Sequence, residues 1–230
     1  MSGATKIEAP PGGFDVAILD PPWRYDNWTD ANNGAAVSAY STMSTDDIAE
    51  LPVRDWMAPD SLLACWATWP KLRDATDVLA AWGADYITGL PFVKVSASGA
   101  PHPGTGFWVR GATEMLLMAR FGQPKRPPPP CGLLLPGPDR DASWAKAWDR
   151  GEVALWGRRM AHSRKPDSIH EWLGQVGEHR LEAFARRKVD GWTCWGGDLG
   201  VLLTADGPVA CEVDAGDPGT LDLFATGEGC

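Results

Sequence analysis

Short apolar runs alternate with amphipathic stretches along the first half of this chain. The β-branched run Phe14–Leu19 predicts a buried strand, which stops at two prolines because proline cannot continue a strand ladder. Residues 61–68 predict a second buried strand, and apolar positions at helical spacing over 71–82 predict an amphipathic helix closed by Gly83. The N-cap residues at 44–47 predict a further short helix.

The rest of the chain continues this alternation. Residues 166–176 predict a helix, because proline stands in the first turn and apolar residues follow at helical spacing. Long loops are expected at 96–105 and 127–148, and the second is interpreted either as a lid over a substrate or as an insertion packed on the surface. The pattern predicts an α/β fold with an open, mostly parallel sheet flanked by helices. Further strands are expected at 86–95, 114–119, 153–156, 180–185 and 191–195.

Composition places the chain among globular proteins that do not span a membrane. Of 230 residues, 44% are hydrophobic and 22% are charged, which excludes a disordered chain. No apolar run approaches the roughly 18 residues that a spanning helix needs. Five cysteines, an odd number without close pairs, fit a reducing compartment, and the first thirteen residues lack the apolar segment of a secretory signal. We therefore expect a soluble cytoplasmic protein without a structural metal site.

The net charge of −9 is unevenly distributed. The last thirty-two residues contain six acidic residues and no Lys or Arg, whereas residues 140–190 contain eleven basic and eight acidic residues. We predict one domain over residues 1–200 and an acidic extension or hairpin over 201–230. The overall acidity argues against tight nonspecific binding to a phosphate backbone, but a local basic face can still dock a nucleic acid.

The residues with the clearest chemical potential stand directly after the first predicted strand. Asp20, Pro21, Pro22 and Trp23 follow its carboxyl end, where open α/β sheets bind ligands. An exocyclic amine of a nucleobase is a poor nucleophile, because its lone pair is delocalised into the ring. The Asp20 carboxylate and the Pro21 carbonyl can accept its two N–H bonds, and Trp23 can stack on the base. The alternative is a proline-rich turn with a buried tryptophan, and the tetrapeptide alone leaves both open.

Seven blocks of sequence extend the pattern beyond this tetrapeptide. They are FDVAILDPPWRYDN, YSTMSTDDIAELPV, LLACWATWPKLRDA, AAWGADYITGLPFVK, GTGFWVRGATEMLLMARFGQP, HSRKPDSIHEWL and LEAFARRKVDGWTCWGGDL. In this order they resemble the MT-A70 family of N6-adenine methyltransferases, which use S-adenosylmethionine, and in particular its compact bacterial and phage members. The resemblance implies a Rossmann-like class I methyltransferase fold in permuted order, with the catalytic motif first and the cofactor strands last, and no metal.

The resemblance also implies which residues bind the cofactor. Lys165 of the HSRKPD motif is expected beside its methionine end, and the chain after 182–186, where the family has ELFAR, beside its ribose. Gly197 stands where the family usually has Asn and therefore lacks the amide, while Asp198 keeps an acceptor suited to ribose hydroxyls. The expected cofactor-binding residues are Asp20, Lys165, Arg186, Arg187, Lys188, Gly197 and Asp198.

A second set of residues is implied around the acceptor base. Glu114 matches a family carboxylate that faces the site, with a structural ion pair as the alternative. Lys94 and Trp108 are expected on a loop that closes over the base. The expected substrate-binding residues are Trp23, Tyr40, Lys94, Trp108, Glu114, His162 and Arg164, and the expected catalytic residues are Asp20, Pro21, Pro22 and Trp23. The remaining histidines, His102, His170 and His179, are expected at the surface.

The function that the resemblance implies is methyl transfer to the N6 amine of adenine in a nucleic acid, with DNA favoured because compact relatives are usually assigned to DNA. RNA or a free adenine nucleotide is the alternative acceptor. A non-catalytic partner subunit is a further alternative. Such family members lose the Asp of the motif, however, and Asp20 is intact here. No feature of the sequence predicts a membrane partner or an oligomeric state.

Overall fold

A computed structural model describes residues 9–25, 42–95, 104, 108–127, 155–158, 165, 168–196, 199, 201–204 and 207–210. The helices in these residues are α1 Thr45–Ala49, α2 Val53–Trp56, α3 Leu72–Ala81 and α4 Ser168–Leu173, with a 3₁₀ turn at Trp69–Lys71. The strands are β1 Phe14–Leu19, β2 Met57–Ala67, β3 Asp85–Val95, β4 Thr113–Phe121, β5 Leu155–Arg158, β6 Arg180–Ala183, β7 Thr193–Trp195, β8 Val201–Thr204 and β9 Gly207–Ala210.

Seven of the described strands form one sheet in the order β5-β3-β4-β2-β1-β6-β7. β4 runs antiparallel to both of its neighbours, and the other pairings in this sheet are parallel. The predicted open, mostly parallel sheet is therefore confirmed. β1 lies between β2 and β6, so the first strand of the chain pairs with one of the last, as the permuted order requires. This arrangement makes the carboxyl end of β1 a switch point, the place where such sheets bind ligands.

The sheet is covered on both faces, which explains why β1 has an almost uninterrupted apolar sequence. Successive side chains of a strand point to opposite faces. Phe14, Ala17 and Leu19 belong to a cluster that includes residues of α1, α2 and α3. Val16 and Ile18 belong to a second cluster, which includes residues of α4. β1 is thus fixed from both sides, and its carboxyl end has a defined position.

Most predicted elements are present with shifted ends. α1 begins after Ser44, whose side chain and that of Asp47 form a reciprocal capping box. α3 is followed by Gly83 in a left-handed conformation with φ 75°, as the sequence predicted. α4 covers only the middle of the helix expected at 166–176, and turns follow it. β8 and β9 pair antiparallel. Residues 128–150 and most of 96–105 lie outside the described residues.

The helices of the described residues are all too short, or too polar, to cross a lipid bilayer.

The turns that follow β6 and β7 meet at a backbone contact. The Ala185 amide donates a hydrogen bond of 2.8 Å to the Trp195 carbonyl. A Cβ at Gly196 would overlap the backbone of Ala185, so this position requires glycine. The indole of Trp195 meets the rings of Phe14 and Trp56 edge to face, with centroids 5.7 and 5.6 Å apart. Together these contacts fix the edge of the sheet where the cofactor residues are expected.

We expect Gly196→Ala to destabilise the protein by about 1–3 kcal/mol, because the added methyl group meets backbone that cannot rotate away. Gly111→Ala is the matched control, since no heavy atom lies within 4 Å of a Cβ at that position. The control should change the free energy of unfolding by less than about 0.5 kcal/mol. Urea denaturation of both variants measures the difference, and equal midpoints would contradict the close contact.

Candidate active site

Hydrogen bonds fix the turn that follows β1 at the switch point. The Trp23 amide donates to the Pro21 carbonyl at 2.8 Å, which closes a three-residue turn. The Met43 amide donates to the Pro22 carbonyl at 2.9 Å, and Arg24 donates to the Met43 carbonyl at 3.1 Å. The indole N–H of Trp23 donates to the Trp66 carbonyl at 3.0 Å. Backbone and side chain together therefore fix where the Pro21 carbonyl lies.

Beside this turn, four charged side chains alternate in sign. The Lys165 ammonium lies 3.0 Å from Asp20 Oδ2 and 3.2 Å from Glu114 Oε2. The Lys94 ammonium lies 2.9 Å from the other Glu114 oxygen. The side chains of Lys165 and Glu114 are 12% and 9% exposed, so these charges are mostly removed from water. Ion pairs in such surroundings are screened less by salt than pairs at the surface.

Burial and neighbouring charges affect the groups of this chain differently. Burial raises the pKa of Asp20, and the Lys165 ammonium offsets only part of that rise. Burial also tends to raise the pKa of Glu114, but Lys165 and Lys94 outweigh it and the pKa falls below its ordinary value. For Lys165, burial lowers the pKa, but the two carboxylates outweigh it and the pKa is raised. Lys165 thus stays a cation. The surroundings disfavour the ionised form of Asp20 and favour the ionised form of Glu114.

Three of these charged groups, Asp20, Glu114 and Lys165, line a cleft. Its lining includes Asp20, Pro21, Trp23, Tyr25, Trp66, Ala67, Thr68, Glu114, Lys165 and Arg186. Tyr25 is 37% exposed, and its hydroxyl lies 2.7 Å from that of Thr68. The Lys165 ammonium lies 5.3 Å from the ring centroid of buried Trp66, a cation–π contact that helps to hold it. The cleft therefore combines acceptors, a fixed cation and an accessible aromatic ring.

The structure brings six of the expected site residues to the cleft: Asp20, Pro21, Trp23, Glu114, Lys165 and Arg186. Trp23 is only 5% exposed, because its ring packs within the core beneath the turn. Pro22 holds Met43 through its carbonyl and is absent from the cleft lining. Lys94 was expected on a loop, but it lies within β3, and we find it bound to Glu114.

The remaining expected residues are distributed away from the cleft or lie beyond the described chain. Trp108 is 97% exposed and does not line the cleft. Arg187 lines a separate cavity, and Lys188 is exposed. Tyr40, His162, Arg164, Gly197 and Asp198 lie outside the described residues.

Two features of this region were not predicted from the sequence. Phe184 directly follows β6 and has a left-handed backbone with φ 64°, which is uncommon for a residue with a side chain and is often found at binding sites. His170 was expected at the surface, and that expectation is wrong. It is 6% exposed, because it lies on the inward face of α4, and its Nε2 lies 2.9 Å from Glu182 Oε2. His179, by contrast, is exposed as expected.

Comparison with known proteins places these residues in a family context. The MT-A70 family profile matches residues 14–198. An N6-methyladenosine RNA methyltransferase, MTA1, of Cryphonectria parasitica is 30% identical over 195 residues, which cover 81% of this chain and 52% of the relative. An N(6)-adenine-specific methyltransferase, METTL4, of Homo sapiens is 27% identical over 212 residues, covering 86% and 40%. A type II methyltransferase, M.MunI, of a Mycoplasma species is 25% identical over 201 residues, covering 80% and 76%. The chain thus spans about half the length of the first of these relatives.

We expect Lys165→Met to raise the pKa of Asp20, because it removes the cation that most lowers that pKa. Carboxyl ¹³C shifts of labelled aspartate, followed through a pH titration, measure the change. Lys94→Met is the matched control: it removes a cation from the same network, but one bound to Glu114 rather than to Asp20. An unchanged or lowered pKa of Asp20 in Lys165→Met would contradict the ion pair.

Proposed function

This chain belongs to the MT-A70 family, and we propose that it methylates the N6 amine of adenine in a nucleic acid, with S-adenosylmethionine as methyl donor. One observation carries the proposal: the Pro21 carbonyl, which the turn holds in place, and the half-buried Asp20 carboxylate line the same cleft, beside the fixed cation Lys165. This arrangement suits a neutral amine that must be held by its two hydrogens.

Asp20 and Pro21 bind and orient the amine. Lys165 contacts Oδ2 of Asp20, so we assign one amine N–H to Oδ1. The second N–H is assigned to the Pro21 carbonyl, which has two lone pairs and gives one to the Trp23 amide. With both hydrogens held, the nitrogen lone pair is turned out of conjugation with the ring and becomes nucleophilic. Because the turn is already fixed, little reorganisation is needed when the base enters.

Tyr25 is the ring that we assign to base stacking, in place of Trp23. Its ring is accessible at the cleft, whereas that of Trp23 is almost fully buried. Stacking of a base on an aromatic ring contributes about 1–3 kcal/mol in other nucleic-acid complexes. Trp23 then supports the turn through its hydrogen bond to the Trp66 carbonyl rather than the base itself.

The residues of the site fit S-adenosylmethionine, which when bound supplies the activated methyl group. Lys165 is a buried cation suited to a carboxylate. Phe184, with its left-handed backbone, directly follows the strand end beside Asp20, whose amide donates to the Ala183 carbonyl at 3.3 Å. Gly196 lets the turns after β6 and β7 come together. Arg186 lines the same cleft. We assign these residues to the cofactor, with Gly197 and Asp198 as the expected ribose contacts.

DNA is the polymer that we propose, on the resemblance to compact family members. A type II methyltransferase is among the relatives, and the match covers 76% of its length. RNA is the second candidate, favoured by the fungal relative that is named as an RNA methyltransferase. A free adenine nucleotide is the third acceptor, and a non-catalytic partner subunit is disfavoured by the intact Asp20.

We expect Asp20→Asn to lower the turnover number at least 10²- to 10³-fold, because loss of one preorganised group that stabilises the transition state typically costs that much. The assay uses labelled S-adenosylmethionine with single- and double-stranded DNA, RNA and free nucleotides, and mass spectrometry identifies N6-methyladenine. Asp85→Asn, at the exposed start of β3, is the matched control and should keep full activity.

Wild-type turnover by Asp20→Asn would contradict the proposed role of this carboxylate. Methylation of cytosine alone by the unaltered protein would contradict the base assignment. The ratio of rates on DNA and RNA decides between the two polymers.

A further inference from the structure

A second cavity, of about 370 Å³, lies on the other side of the turn that follows β6. α4 and the chain that follows it form one wall, and residues 187–192 form the other. Arg186 lines the cleft described above, whereas the next residue, Arg187, lines this cavity. Consecutive Cα atoms lie only 3.8 Å apart, so the two depressions are immediate neighbours.

The cavity contains a buried imidazole with an unused nitrogen. His170 lines it and is 6% exposed. Its Nε2 lies 2.9 Å from Glu182 Oε2, and in the neutral imidazole that donates from Nε2 to this carboxylate, Nδ1 is an acceptor. Within the described residues, Nδ1 is buried and has no hydrogen-bond partner. Buried polar atoms are nearly always paired, so an unpaired one on a residue that lines the cavity indicates a missing donor.

Arg180 supplies a cation to the same cavity. Its Nε donates to the Gly177 carbonyl at 2.8 Å, which fixes the guanidinium. A Cβ at Gly174 would lie 3.5 Å from a guanidinium atom of Arg180, and one at Gly191 would lie 3.2 Å away. Because both residues are glycine, the backbone leaves room for this group. In the part of the chain that the structure describes, no carboxylate lies within ion-pairing distance of Arg180. The carboxylates that line the cavity, Glu171 and Asp190, are both exposed.

An aromatic wall completes the cavity. The indole of Trp192 stands perpendicular to the His170 ring, with centroids 5.1 Å apart. Trp192 is half-buried, so part of its surface is available to a ligand. Guanidinium groups bind phosphate, an indole stacks on a base, and an imidazole acceptor binds a base N–H. A nucleotide uses all three.

We propose that this cavity binds a nucleotide unit, with its phosphate at Arg180 and Arg187 and its base against Trp192. The unit comes either from the substrate strand, as a neighbour of the target base, or from a free nucleotide. The first source rests on the proposed function, because the strand must then pass from the cleft over Arg186 and Arg187. The second source does not depend on it.

Two variants test the proposal without disturbing the core. Arg180→Gln removes the cation, and Gln175→Glu adds a carboxylate at an exposed position of the cavity. Arg120→Gln is the matched control, because Arg120 lies on β4 and donates to Gln123 rather than to the cavity. Thermal melting first establishes that each variant is folded.

Three probes are titrated into the full-length protein: a labelled single-stranded oligodeoxynucleotide with one adenine, adenosine monophosphate, and S-adenosylhomocysteine. We expect both cavity variants to weaken oligonucleotide binding about 5- to 10-fold, and Arg180→Gln to reduce the slope of log affinity against log salt by about one phosphate. Binding of S-adenosylhomocysteine should not change, and Arg120→Gln should bind all three probes as the unaltered protein does.

Each outcome has a defined meaning. Loss of oligonucleotide binding assigns the cavity to the strand, and loss of adenosine monophosphate binding alone assigns it to a free nucleotide. Unchanged affinity for the oligonucleotide and for adenosine monophosphate overturns the proposal. An equal loss of S-adenosylhomocysteine binding also overturns it, because that result would assign the cavity to the cofactor. Methylation of the same oligonucleotide by the unaltered protein tests the proposed function separately. If the unaltered protein does not methylate the oligonucleotide but Arg180→Gln weakens binding of adenosine monophosphate, the cavity proposal holds and the proposed function fails.

Discussion

The need to neutralise buried charge around Lys165 is the constraint on which the site depends. An ammonium that is 12% exposed is costly unless carboxylates surround it, and Asp20, directly after β1, and Glu114, on β4, do so. Glu114 then needs a second cation, and Lys94 provides it from a third strand. Since removal of any one member takes a partner from another charge, the network ties the ends of β1, β3 and β4 to the chain that enters α4. The same network keeps Asp20 close to the mouth of the cleft.

The features that the sequence predicted are those with local causes. Phe14–Leu19 is apolar because both faces of β1 are buried, and the prolines that follow mark its end without any knowledge of the fold. The capping box at Ser44 and the left-handed Gly83 are equally local. The features that were missed depend on contacts between distant residues. The Lys94–Glu114 pair spans 20 residues, and nothing in the periodicity of β3 indicates that Lys94 reaches Glu114.

His170 shows why a single polar residue on a helix is difficult to interpret. It follows Ile169 on a short helix, so the sequence pattern predicts a polar residue outside the apolar face. Its burial makes sense only once Glu182, twelve residues later, is known to lie opposite it on β6. Trp23 presents the reverse problem, since an aromatic ring directly after Asp20, Pro21 and Pro22 suggests stacking on a base. In the structure its indole N–H instead donates to the Trp66 carbonyl, which ties the turn after β1 to β2.

The reversed direction of β4 has a consequence for how this architecture can diversify. In a parallel sheet, strands contribute their last residues to the ligand edge, but an antiparallel strand contributes its first, and Glu114 stands at the second position of β4. The connection from β3 to β4 therefore leaves from Lys94 and Val95 and returns at Thr113 and Glu114, with both ends anchored beside the cleft. Changes in the length or composition of that connection alter what surrounds an incoming substrate while the sheet, its register and the buried charges stay as they are. Under the proposed function, acceptor preference can thus evolve through one loop, independently of Asp20 and Pro21.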